Sequence, residues 1–177
     1  MVKVAVVVAW FAFLALRPAH GALSEETPAE FANRFYHAYG ELRVRGVPNE
    51  RQRRALAPFF TLELQALLAK ADRCRGSLEP HPARPNKPGC GGDLFTSNSS
   101  GWADTYAIGF PQAVIGRLIQ PIHLADAETG DAWVDRLMLH HGNGRWFIAD
   151  IVFTNDRGNR LFGKGSLRRA LKGCLHR

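Results

Sequence analysis

Ala132-Trp133-Val134-Asp135-Arg136-Leu137-Met138-Leu139-His140-His141-Gly142-Asn143-Gly144-Arg145-Trp146-Phe147-Ile148-Ala149-Asp150-Ile151-Val152-Phe153 is the stretch that decides the fold. Its first half alternates apolar and polar side chains, and its second half is rich in aromatic and β-branched residues. Alternation at period two marks a half-buried strand, and Asn-Gly supplies the two left-handed positions of a tight hairpin turn. Pairing about Asn143-Gly144 places Trp133, Asp135, Leu137 and Leu139 on one face with Trp146, Ile148, Asp150 and Val152. The other face then carries Val134, Arg136, Met138 and His140 with Phe147, Ala149, Ile151 and Phe153.

Working backward, Glu128-Thr129-Gly130-Asp131 is a turn, preceded by β-rich runs from Ala113 to Leu124 and from Ala103 to Phe110. These extend the hairpin into an antiparallel sheet. The N-terminal half reads as helices. Thr27-Pro28-Ala29-Glu30 has the capping-box spacing with proline at the tolerated first position, and Phe31, Phe35, Ala38, Tyr39 and Leu42 follow at helical intervals. Asn49 starts a short second helix that stops near Pro58. Thr61 starts a third, with Leu64, Leu67, Leu68 and Ala71 on one face. Beyond the turn Asn155–Asn159, Ser166 caps a last helix from Leu167 to about Leu175. The expected class is therefore α+β: three N-terminal helices packed on a curved antiparallel sheet, with a short C-terminal helix.

Two segments stand apart. Met1-Val2-Lys3 precedes an unbroken apolar run from Val4 to Leu16, and Pro18-Ala19-His20-Gly21-Ala22 closes it with small residues. That is the anatomy of a secretory signal peptide, shorter than the roughly 20 residues a membrane span needs. The reading is residues 1–21 as leader, 22–177 as a single domain, and a periplasmic or secreted product that meets membrane only through its leader before cleavage. Residues 75–100 form a Pro/Gly-rich loop too long to be an ordinary connection. An oxidising compartment favours one disulfide and one odd thiol among Cys74, Cys90 and Cys174. Cys74–Cys90 closes the shortest loop, with Cys74–Cys174 as its rival.

The formal charge of +7 is spread along the chain, and with export and no recognition motif it argues against nucleic acid. Cys74, His81 and Cys90 have no common zinc-ligand spacing, so no metal is expected. Gly158 to Lys164 matches the start of a phosphate loop, but Gly165 replaces the hydroxyl residue that would hold magnesium. No cofactor is expected.

Glu30-Phe31-Ala32-Asn33-Arg34-Phe35-Tyr36, Gly92-Asp93-Leu94-Phe95-Thr96-Ser97, Trp133-Val134-Asp135 and Gly144-Arg145-Trp146-Phe147-Ile148-Ala149-Asp150-Ile151 resemble a family of uncharacterised bacterial exported domains. That family belongs to the cone-shaped superfold of nuclear transport factor and ketosteroid isomerase. The resemblance implies a cone fold over nearly all of the mature chain and no assigned activity.

Asp135 and Asp150, among tryptophans on one face, are the candidate acid–base pair, since burial and a shared site would raise their pKa values. The alternative is that each is structural, capping a turn or pairing with Arg136 or Arg145. Tyr36, Tyr106, Trp133 and Trp146 are the candidate binding residues, with His37 and Asp104 beside them. The functional expectation is a non-enzymatic binding or accessory protein, such as an immunity or inhibitor protein, that meets an unknown protein or a small apolar ligand. The alternative is a small enzyme using an acid–base Asp in the cone.

Overall fold

A computed structural model describes residues 25–75, 94–97, 103–154 and 165–175. Helix α1 spans Pro28–Leu42, α2 Glu50–Leu56, α3 Leu62–Arg75 and α4 Leu167–Leu175, with a 3₁₀ turn at Ala57–Phe59. The strands are β1 Thr105–Ile108, β2 Gln112–Val114, β3 Arg117–Ala125, β4 Ala132–Gly142 and β5 Arg145–Phe153. The class is α+β, with three helices before an antiparallel sheet and one after it.

Local chemistry sets the helix starts. Thr27 Oγ1 accepts from the Glu30 N–H while the Glu30 carboxylate accepts from the Thr27 N–H, and Asn49 and Gln52 repeat the exchange at α2. Each cap satisfies two amides the helix leaves unpaired. The buried face of α1 is Phe31, Ala32, Phe35, Tyr36 and Tyr39. Phe35 is the hub of an aromatic cluster, edge-on to Tyr36, Phe59 and Phe60 at 5.2–5.7 Å.

In the sheet, β3 pairs with β4 and β4 with β5. Both β1 and β2 pair with the other side of β3, so together they form one edge. A tight turn at Ile115-Gly116, with Gly116 at φ +72°, divides what the sequence reads as one run from Ala113 to Leu124. The hairpin turn falls where expected, with Asn143 and Gly144 at φ +53° and +71°.

The hairpin register departs from the sequence reading at one residue. Leu139 faces Ile148, but the next pairs are Met138 with Asp150, Leu137 with Ile151 and Asp135 with Phe153. Ala149 is thus an extra residue, a β-bulge that moves every later side chain of β5 to the other face. Ile151 and Phe153 turn into the core, while Asp150 and Val152 leave the face of Asp135. The bulge coincides with a change of neighbour on the outer edge of β5. Phe60 bridges Ile148 there, the Thr61 N–H bonds the Ile148 carbonyl at 3.1 Å, and further along the Phe153 N–H bonds Gly165. The β5 edge is therefore covered by chain from both ends of the domain.

Leu94-Phe95-Thr96-Ser97 is buried throughout, with Leu94 and Phe95 0% exposed. Phe95 stacks on Phe60 at 5.8 Å and meets Tyr39 at 5.4 Å, so this segment fills the space between helices and sheet. Cys74 is on α3 and Cys174 is buried on α4. Cys90, and with it the Cys74–Cys90 pairing, lies outside the described residues, as do the leader and the Gly158–Lys164 loop. Phe95→Ala is expected to lower stability by about 3–5 kcal/mol through lost burial and the cavity left behind, read as a reduced urea midpoint.

Candidate functional site

The buried polar centre forms around Asp135. The Trp133 indole N–H donates to Thr96 Oγ1 at 2.9 Å, and the Thr96 hydroxyl donates to Asp135 Oδ2 at 3.1 Å. The Ser97 backbone N–H donates to Oδ2 at 2.9 Å, and the Ser97 hydroxyl to Oδ1 at 2.5 Å. Asp135 is 0% exposed. Desolvation pushes its carboxyl above the usual aspartate range, against the pull of the hydrogen bonds from Ser97, Thr96 and Trp133. With both oxygens occupied by donors from the 94–97 segment, the carboxylate works as a clamp that holds that segment to β4.

Asp150 has a different task. Its Oδ1 accepts from the Ile151 N–H at 2.9 Å and from the Arg168 N–H at 3.0 Å. The second bond satisfies an amide in the first turn of α4, where a carboxylate also meets the positive end of the helix dipole. The bulge at Ala149 puts the two aspartates on opposite faces of the sheet, so they form no shared acid–base site.

The aromatic candidates divide in two groups. Trp146 donates its indole N–H to the Glu26 carbonyl at 2.9 Å and packs on His141 at 4.5 Å. Trp133, paired with Leu124, is eight residues from His141 along β4, on the order of 25 Å away. Tyr36 and Tyr106 do meet, with ring centroids 5.2 Å apart. The Tyr106 hydroxyl donates to Asn33 Oδ1 at 3.0 Å, which ties β1 to α1.

Around this tyrosine pair opens a pocket of about 570 Å³ between α1 and β1. Tyr36, Tyr39, Leu124 and Ala103 make its apolar wall. His37, Glu41, Arg43, Asp104 and Thr96 supply polar groups, and Tyr106 stands at its edge. His37 is in solvent, 72% exposed, and 3.4 Å from Glu41. Asp104 is occupied in accepting from the Ala127 N–H at 2.8 Å. Chemically the pocket offers an aromatic surface with mixed charge at its rim. Among the described residues no group of three His, Cys, Asp or Glu side chains is placed to hold a metal ion.

Tyr36, Tyr106, His37 and Asp104 thus line one pocket, while Trp146 is elsewhere. Sequence reasoning assigned no role to Thr96 and Ser97, the partners of Asp135. Their signal was an apolar Leu94-Phe95 pair inside a segment otherwise rich in Pro, Gly and Ser. No family model, no curated protein and no solved structure matches the chain.

The clamp has a pH signature. A carboxyl whose folded pKa is raised leaves the folded state holding more protons than the unfolded one, between the ordinary aspartate value and the raised value. Stability therefore falls as pH rises through that window and is highest below it. Denaturant midpoints across pH should show wild type losing ground to Asp135→Asn as pH climbs through that window. Parallel curves would mean that Asp135 does not titrate differently on folding. Ser97→Ala should cost about 1.5–3 kcal/mol, the loss of a buried hydrogen bond to a carboxylate, in the same measurement above that window.

Proposed function

We propose that this chain is an exported, non-enzymatic binding or accessory protein of the cone-like superfold shared by nuclear transport factor and ketosteroid isomerase, and that it binds through the α1–β1 pocket. The observation that carries this reading is the occupancy of the interior. Leu94-Phe95-Thr96-Ser97 packs between helices and sheet, and its hydroxyls and amide engage the carboxylate of Asp135. An acid–base group must reach its substrate, and Asp135 is sealed from solvent while Asp150 serves α4. The α1–β1 pocket is open to solvent, with an aromatic wall and a polar rim, the usual make-up of a recognition site. Its ligand is a small apolar or aromatic molecule, or an aromatic side chain of a protein partner such as an enzyme that this chain inhibits.

Two-dimensional amide NMR with indole as the probe tests the site. Shift changes are expected to concentrate at residues 36–43 and 103–106, and Tyr106→Ala should weaken the apparent affinity about fivefold, the value of one aromatic contact. Shifts scattered away from these residues, or an affinity unchanged in Tyr106→Ala, would remove the pocket from consideration. An apolar ligand recovered from the purified protein and displaced by indole would strengthen the small-molecule version.

A further inference from the structure

One end of the sheet combines features that the pocket does not use. Here β3 begins, β4 finishes and β5 starts, as the pairs Leu118–Leu139 and Gly142–Arg145 fix. The turn between β2 and β3 projects Ile115, 101% exposed, with Val114 beside it half uncovered. Next to that turn lies a groove of about 620 Å³, lined by Gly116, Arg117, Met138, Arg145, Phe147 and Leu62. Leu62, the first residue of α3, is 82% exposed. Isolated apolar side chains on a surface mean little, but several beside one groove mark a contact surface.

The charges at this end are biased. Each acid there is engaged: Glu25 with His141 at 2.7 Å, Glu26 with Arg34, Glu63 with Arg168 at 3.0 Å, and Asp150 with two backbone amides. Among the described residues Arg117 and Arg145 have no acidic partner, and the Arg145 guanidinium lies over the Phe147 ring at 4.6 Å. The folded domain also receives its N-terminal segment here, because Trp146 holds the Glu26 carbonyl and His141 holds Glu25. The apolar run Val4–Leu16 precedes that point in the chain.

We infer that this end docks on an anionic lipid bilayer, with Ile115, Val114 and Leu62 entering the headgroup layer and Arg117 and Arg145 pairing with lipid phosphates. Apolar side chains flanked by arginines suit the interface, where the chains partition into the acyl boundary and the cations remain at headgroup level. The inference is independent of the α1–β1 pocket, and it extends membrane contact beyond the leader to which the sequence confines it.

The test uses the full chain as the cell processes it, with a fluorescent amino acid that reports polarity placed at position 115, or at Glu128 in the turn of the opposite end. Vesicles of phosphatidylcholine with phosphatidylglycerol should shift the emission at position 115 to the blue and leave position 128 unchanged. Arg117→Gln with Arg145→Gln should raise the lipid needed for half the response about thirtyfold, two charges each contributing roughly fivefold, and added salt should act in the same direction. Leu62→Ser, which leaves charge intact, should weaken binding as well. Equal shifts at both positions, or none at 115 while the chain floats with vesicles, would mean that this end is not the contact and would overturn the inference. So would an equal response to soluble polyphosphate, which would give the cations to an anionic polymer.

Discussion

A buried carboxylate is costly unless its oxygens are supplied with donors, and here the supply comes from a segment remote in sequence. Asp135 on β4 takes hydrogen bonds from Thr96 and Ser97, and the two residues before them, Leu94 and Phe95, are buried in the core. The two effects are coupled. Withdraw the segment and the carboxylate loses its donors; remove the carboxylate and the hydroxyls of the segment are buried without their acceptor. The clamp gives position, where Phe95 alone would give only hydrophobic contact. Much of the aromatic network depends on that position, since Phe95 touches both Phe60 and Tyr39 and these lead through Phe35 to the whole of α1.

The same arrangement moves the chemistry outward. With the interior filled, the exposed end of the aromatic network is the Tyr36–Tyr106 contact, where α1 meets β1. The pocket there is the outer margin of the packing between helix and sheet. Its rim holds groups of both signs, His37, Arg43, Glu41 and Asp104.

Much of this was legible in the chain. The capping boxes at Thr27 and Asn49, the turn at Asn143-Gly144 and the apolar spacing of α1 are local features, and local features survive folding. The bulge at Ala149 was legible only in part: apolar Ile148 and Ile151 stand three apart, a break in the alternation, but the Asp150 between them looked like the next residue of the inward face. One residue of register was enough to separate two aspartates that the sequence put together. The turn at Ile115-Gly116 was hidden because an exposed isoleucine at a turn reads as strand. The tie between Asp135 and Ser97 spans 38 residues and carries no periodic signal at all.

The two edges of the sheet are finished differently. The β5 edge is covered by the Phe60–Thr61 connection and the approach to α4, whereas the edge made by β1 and β2 has no third strand beside it among the described residues. An uncovered edge invites another chain to continue the sheet. Here the edge is two short pieces, Thr105–Ile108 and Gln112–Val114, separated by Gly109-Phe110-Pro111. Proline offers no amide hydrogen, and neither piece is long enough to template a lasting ladder. The interruption limits how far an added strand could run along that edge.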